Sequence, residues 1–301
     1  MNVGQRRGRK ISTLCSLLGY SRQAYYQQKR IQQQSVLEQD LIIEQVLSIR
    51  RQQKRVGTRK MHIMLQPFLS AHKIDIGRDA LFTLLDERGL LIRKRRRNIP
   101  RTTFSNHWMR KYANLTIGVA VNEPNRLWVS DITYINLNSG FAYLSLVTDA
   151  YSRMIVGYYL SRDLSTCGCV KALMMALKQL PHGSMLIHHS DRGSQYCSTE
   201  YVEQLNARHV SISMTQNSDP RENAIAERVN GIIKQEFLDT IYTNYRHAVS
   251  GVAIAIKTYN NQRLHSSVDM LTPFEAHFMT GTLKRHWKSY YTLKKKEVIM
   301  T

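Results

Sequence analysis

Apolar residues recur along this chain in two rhythms, and the change from one to the other divides it. Val36, Leu37, Leu41, Ile42, Val46 and Ile49 keep the spacing of one face of a helix. Ahead of them, residues 11–28 read as a short helix, a turn at Leu18-Gly19-Tyr20-Ser21, and a second helix capped by Ser21. That is helix-turn-helix grammar, although any small helical hairpin can share it. A second helical unit begins in the basic stretch 50–60. Thr58 can cap a helix over 59–65, Pro67 is expected to interrupt it, and Gly77 precedes another over 78–88 that Gly89 ends. From residue 125 the rhythm becomes that of strands. Segments 125–136, 141–148 and 154–160, joined by short turns, predict an antiparallel meander. Helix 165–180, strand 185–189, helix 199–208, strand 210–214 and a last helix follow. The order βββαβαβα specifies an α/β domain with a mixed sheet.

Three carboxylates stand out against this pattern. Asp131 lies inside an apolar strand, where an ionised carboxylate is costly unless it is paired or binds a metal. Asp191 directly follows strand 185–189, at the carboxyl end where ligands of α/β sheets gather. These two strands can be sheet neighbours, which would bring the aspartates together. Glu227 belongs to the helix Asn223-Ala-Ile-Ala-Glu227-Arg-Val-Asn230-Gly-Ile-Ile-Lys234. At about 100° per residue, Asn223, Glu227, Asn230, Gly231 and Lys234 fall on one stripe, expected to face outward. Ile225, Val229 and Ile232 fall opposite, toward a core. A surface helix with a polar face is the plain alternative for that stretch. Three convergent carboxylates repel one another, and divalent cations relieve the repulsion. All-oxygen ligands favour Mg²⁺ or Mn²⁺ over zinc, and two such ions about 4 Å apart suit in-line displacement at phosphorus. Other acids compete. Asp149 is better explained as a turn cap or Arg partner, whereas Asp219 and Glu222 are rivals to Glu227. His188 and His189 read as strand residues able to orient Asp191 or a water, and Cys197 as buried filler.

Charge identifies the partner. Against 22 Asp and Glu stand 43 Lys and Arg, a net charge of +21. Residues 1–101 hold 22 basic and 7 acidic residues, residues 102–301 hold 21 and 15, so the excess lies toward the N-terminus. A polyanion-binding module joined to a less biased body is the expectation. There is no basic amphipathic anchor and no run of about 18 apolar residues, so nucleic acid is favoured over a membrane. Arg93, Lys94, Arg95, Arg96 and Arg97, leading into Pro100 and Arg101, read as a phosphate-contacting linker. Cys15, Cys167, Cys169 and Cys197 contain no Cys-x-x-Cys pair, which argues against structural zinc. Scattered thiols and the absence of an apolar leader at the start point to a cytoplasm. Near the C-terminal end, residues 248–259 form an apolar-faced helix. Thr272-Pro273-Phe-Glu275 is a capping box with proline at the first helical position. Arg263 and His265, in the loop between them, are expected to contact phosphate.

Several of these stretches together resemble a known family. Trp128-Val-Ser-Asp131-Ile-Thr-Tyr, Thr148-Asp-Ala-Tyr-Ser-Arg-Met-Ile-Val-Gly157 and His189-Ser-Asp191-Arg-Gly-Ser-Gln-Tyr196 resemble an integrase-type core. So do Glu222-Asn-Ala-Ile-Ala-Glu227-Arg-Val-Asn-Gly-Ile-Ile-Lys234 and Tyr259-Asn-Asn-Gln-Arg263-Leu-His265-Ser-Ser267 with Leu271-Thr-Pro-Phe-Glu-Ala276. As a set they are similar to the second-frame transposase of the insertion-sequence-three family. Val56-Gly57-Thr58-Arg59 departs from the aromatic-Gly-aromatic-Arg run more common there, and the His-His-Cys-Cys zinc module of retroviral integrases is absent.

The resemblance implies a ribonuclease-H-like fold with a DDE triad at Asp131, Asp191 and Glu227. It implies metal-dependent DNA strand cleavage and transfer at element ends, with water and then a 3′-hydroxyl as nucleophile. Two Mg²⁺ or Mn²⁺ ions per site, DNA as partner, a homo-oligomer on DNA and a possible upstream-frame protein belong to the same expectation. Arg59, Lys60, Arg228, Asn230 and Lys234 join the basic run, Arg263 and His265 as expected DNA contacts. The expected divisions are helical units at 1–49 and 50–101, a linker at 102–121, the catalytic core at 122–283 and a basic tail at 284–301. A non-catalytic DNA-binding regulator and a nuclease without strand transfer are the alternatives from other classes.

Overall fold

The computed structural model describes residues 11–92, 107–216, 222–238 and 240–286. It separates into two compact units, 1–52 with 56–94, and 53–55 with 95–301.

The first unit is helical. Helix α1 (Ile11–Leu17) leads through Gly19, whose φ of +74° suits a left-handed turn, into α2 (Arg22–Gln52). Ser21 Oγ accepts the Ala24 N–H at 3.0 Å, the expected cap. Helix α2 is one continuous 31-residue rod. The expected boundary at 49/50 therefore falls inside it. Its Ile42 and Val46 share a single core with Met61, Leu65 and Leu69 of α3 (Thr58–His72) and Leu81, Leu84 and Leu85 of α4 (Arg78–Glu87). Pro67 does not interrupt α3, and Gly57 rather than Thr58 occupies the N-cap position. Pro67 is exposed, so the carbonyl it leaves unbonded can meet water while Leu65 and Leu69 hold both flanks in the core.

The second unit is built on a five-stranded sheet in the order β3-β2-β1-β4-β5. Strands β1 (Leu127–Leu137), β2 (Gly140–Asp149) and β3 (Ile155–Ser161) form the antiparallel meander. Helix α5 (Thr166–Lys178) then carries the chain to β4 (Ile187–Ser190), which runs parallel to β1. The short α6 (Ser194–Cys197) and α7 (Thr199–Asn206) lead to β5 (Ser211–Met214), parallel to β4. Helix α8 (Ala224–Ile232), a π-helical turn (Ile233–Phe237), α9 (Tyr245–Gln262) and α10 (Pro273–Ala276) complete the unit.

Alternating side chains fill two cores, as the period of a strand requires. Trp128, Val147 and Val156 pack with Cys169, Leu173, Ala176 and Leu177 of α5 on one face. Ile135, Leu144 and Leu146 pack with Val229 of α8 and Val252, Ile256 and Tyr259 of α9 on the other. Gly157 permits close approach of α5: a Cβ there would lie 2.2 Å from the Ala172 carbonyl oxygen. The capping box is present, with Thr272 Oγ1 accepting the Glu275 N–H and Glu275 accepting the Thr272 N–H. This mixed sheet with helices on both faces is the expected α/β, ribonuclease-H-like architecture. Among the described residues no helix is long and apolar enough to cross a membrane.

Candidate active site

The site follows from strand register. In the parallel pairing of β1 and β4, Ser130 stands opposite Ser190, the last pair of that ladder. The next residues are Asp131 and Asp191. Adjacent strands lie about 4.8 Å apart, so both carboxylates emerge side by side where β4 ends and β1 continues. Strand order also switches here, since β1 has an antiparallel neighbour on one side and a parallel one on the other.

Each aspartate is oriented locally. Asp131 Oδ1 accepts the Ile132 N–H at 2.8 Å, and Oδ2 accepts Asn230 Nδ2 at 2.8 Å. Asp191 Oδ1 accepts the Gly193 N–H at 3.0 Å, which shapes the entry to α6. Burial, then the Asp191 charge, pushes the Asp131 carboxyl up to about 7, against the pull of the Asn230 and Ile132 bonds. Glu227 adds the weakest of the like charges acting on it.

Helix α8 is tied to β1 at two points of its polar stripe. Asn223 Nδ2 donates to the Ser130 carbonyl at 3.0 Å, one residue before Asp131, and Asn230 bonds Asp131 itself. Both asparagines are buried, so two members of the stripe bond the sheet instead of facing outward as expected. Glu227, between them, is exposed. Each asparagine also has a carboxamide oxygen that is buried without a partner.

Under the aspartates lies a closed polar layer. His188 Nε2 is 2.8 Å from Ser130 Oγ and 2.9 Å from Tyr201 OH, and burial depresses its pKa to about 3, so the ring is neutral. His189 Nδ1 meets Ser213 Oγ at 2.8 Å. Both histidines are strand residues turned inward, and Cys197 is buried as expected. Asp149, fully buried, accepts the Ser152 N–H and hydroxyl and the Asn125 N–H, so it is spent on its turn. Glu222 accepts the Gln216 N–H, and Asp219 lies outside the described residues.

The expected DNA contacts separate into three groups. Arg59 and Arg228 are exposed, and Lys60 is half-buried. Lys234 is half-buried with Nζ 3.2 Å from the centre of the Tyr134 ring, and burial lowers its pKa to about 8. Asn230 serves Asp131. Arg263 and His265 are corrections: only 3% and 6% exposed, they are internal. Arg263 makes two 2.7 Å bonds to Glu236, a fork matched to a carboxylate, and His265 lies 3.2 Å from Tyr259 OH and from Ser267 Oγ. Arg93, Lys94, Arg95, Arg96 and Arg97 lie outside the described residues. The tie between Asn223 and Ser130 had no sequence signal beyond helical spacing.

Among the described residues no three His, Cys, Asp or Glu side chains are already gathered closely enough to hold an ion. The donor chemistry nevertheless fits a hard divalent cation. Two neighbouring carboxylates, one of them pushed up to about 7 by burial and then by the other's charge, are relieved by a positive ion more than by any other partner.

A mixed sheet with paired aspartates at its switch point, and a helix carrying Glu227 against β1, is the architecture of an integrase-type core. Two integrase core domain profiles match this chain, over residues 121–220 and 208–273. The insertion element IS600 uncharacterized 31 kDa protein of Shigella sonnei is 34% identical over 266 residues, covering 86% of this chain and 96% of that one. The transposase InsF for insertion sequence IS3A of Escherichia coli K12 is 32% identical over 152 residues, 50% of this chain and 53% of that one. Among solved structures, the HTLV-2 integrase catalytic core domain in complex with magnesium matches 52% of this chain and 97% of its own, at 20% identity and a TM-score of 0.41. The chain belongs to the integrase-core transposases of insertion sequences, of the insertion-sequence-three type, and its function is DNA transposition.

Proposed function

We propose that Asp131, Asp191 and Glu227 carry metal-dependent cleavage and transfer of DNA strands at the ends of an insertion sequence. The observation that carries this reading is the register of β1 against β4, which sets Asp131 beside Asp191. Asp131, Asp191 and Glu227 would hold the Mg²⁺ or Mn²⁺ ions, two per site. Such ions, when bound, supply charge neutralisation at phosphorus and a more acidic nucleophilic hydroxyl.

The chain's own groups prepare the site. Asn230 holds one Asp131 oxygen and the Ile132 N–H the other, fixing the carboxylate plane before any ligand arrives. Asn223 pins the start of α8 to β1, so Glu227 is delivered on a helix anchored before and after it. Neutral His188 keeps the layer beneath the aspartates free of competing charge. Arg59, Lys60, Arg228 and Lys234, with the basic run Arg93, Lys94, Arg95, Arg96 and Arg97, would contact DNA phosphates. A homo-oligomer on DNA, an upstream-frame partner and a cytoplasmic location beside the nucleoid complete the reading.

The test is strand cleavage and joining on labelled DNA carrying the element's ends, with Mg²⁺ or Mn²⁺. Wild type runs beside Glu227→Gln, and DNA binding is measured for both. Metal-dependent joined products from wild type alone, at equal binding, are expected. Equal products from both proteins would remove Glu227 from the triad. Cleavage without joining would leave a nuclease, and binding without products, also after fusion to the upstream frame, a regulator.

A further inference from the structure

Residues 107–115 pass the catalytic loop and then follow the edge of the sheet. His107 Nε2 lies 2.8 Å from the Arg192 carbonyl oxygen, one residue beyond Asp191. Met109 and Tyr112 pack against the core formed by α5 and α7. The Leu115 N–H donates to Ser213 Oγ at 2.8 Å, and the Met214 N–H to the Ala113 carbonyl at 3.3 Å, so the segment lines β5. The side chains on both sides of Trp108 are thus anchored. Yet Trp108 is 92% exposed, while Trp128 in the core is fully buried. A large ring anchored in water at that position is available for a partner.

Its neighbours indicate which kind. Arg110 and Lys111 are exposed beside it. Lys111 and Arg192 both act to lower the Cys197 thiol pKa, against burial and then the Asp191 charge, so both cations lie within electrostatic reach of the α6 end of the Asp191 loop. Rings that stack on bases, interleaved with cations that hold phosphates, are the chemistry of single-strand binding.

We propose that Trp108, with Arg110 and Lys111, forms a stacking platform for an unpaired base of the DNA strand entering the active site. This rests on the strand-transfer reading above. A phosphodiester inside a duplex is reached more easily when a flanking base leaves the stack, and the base then exposes a face that an aromatic ring can cover. A protein partner would also cover Trp108, but it would not require the flanking cations or the position beside Asp191.

The experiment uses the full chain and two labelled duplexes of one sequence, one blunt and one with a short single-stranded overhang containing 2-aminopurine. Binding is read by anisotropy and stacking by quenching of the 2-aminopurine, both without divalent metal. Wild type should prefer the overhang by roughly 5- to 150-fold and quench the probe. Trp108→Ala should bring that ratio close to one and abolish quenching, whereas Trp108→Phe should retain most of both. An unchanged ratio and unchanged quenching in Trp108→Ala would overturn the platform. So would a change in sedimentation without a change in ratio, which would mark a protein contact. Equal binding of both duplexes by wild type would overturn the platform alone, and binding of neither would overturn the transposase reading with it.

Discussion

Replacing Asn230 by Ala removes the one side-chain donor to the Asp131 carboxylate among the described residues, a 2.8 Å bond from a residue that is 6% exposed. A buried hydrogen bond to a charged group contributes about 1.5–3 kcal/mol. Asp131 already titrates near 7 without metal, because burial and Asp191 oppose its ionisation. Losing that much support makes the ionised form roughly 10- to 150-fold less favourable relative to the protonated one. A divalent ion must then displace a proton to bind. Mn²⁺ titrations followed by electron paramagnetic resonance should show affinity falling by roughly one to two orders of magnitude at neutral pH. The deficit should shrink as pH rises and the proton leaves unaided. Thermal unfolding of the metal-free variant checks that the fold survives. If Asn230→Ala bound Mn²⁺ as tightly as wild type at pH 6.5 and at pH 8.5, Asn230 would not be supporting the ionised carboxylate.

The same carboxylate links stability to pH. A folded-state pKa raised to about 7 means the folded protein holds a proton that the unfolded chain has lost above about pH 4, so ionised Asp131 destabilises the metal-free fold as pH rises through 7. Asp131→Asn should therefore raise the Tm at pH 8 without metal, and an unchanged or lower Tm would contradict the raised pKa. His188 acts with the opposite sign, since its pKa of about 3 costs stability as pH falls below about 6.5. Removing the Asp131 contribution should expose that loss, so the Tm of Asp131→Asn should fall more steeply with acid than that of wild type. Arg263→Ala leaves Glu236 without its bidentate partner and should cost about 3 kcal/mol in urea unfolding. A variant of full stability that had lost DNA affinity would instead return Arg263 to phosphate binding. Gly157→Ala drives a methyl group against the Ala172 carbonyl and should cost about 1–3 kcal/mol by the same measurement, and a wild-type urea midpoint would show that α5 yields freely.

The sheet was legible in the sequence because its strands are long, β-rich and separated by short turns. The juxtaposition of Asp131 and Asp191 needed only the guess that β1 and β4 are neighbours, and the parallel register did the rest. Polar residues misled where their partners lie far along the chain. Arg263 and His265 look like loop donors, and the Glu236 that engages Arg263 is 27 residues away in a π-helical turn that helical spacing cannot anticipate. That turn also removes Lys234 from the regular helical stripe read through Glu227. The stripe was only partly legible for a related reason: Glu227 is exposed as expected, but Asn223 and Asn230 read as a solvated face unless a strand carbonyl and a carboxylate are known to wait beneath them. Pro67 failed as a breaker because packing of Leu65 and Leu69 outweighs the loss of one solvent-side hydrogen bond.

The paired aspartates also set an order in time. The hairpins from β1 to β3 close through short turns, so they can form as soon as residue 161 is available. Asp191 lies 60 residues beyond Asp131 and reaches it only after α5 has carried the chain across the sheet and β4 has docked in parallel. Such non-local pairing is the slow part of folding. Because α8, which brings Glu227, must dock on that same sheet, a chain still emerging during synthesis holds its carboxylates apart. If the proposed triad is right, the capacity to cut DNA arrives last, with completion of the fold.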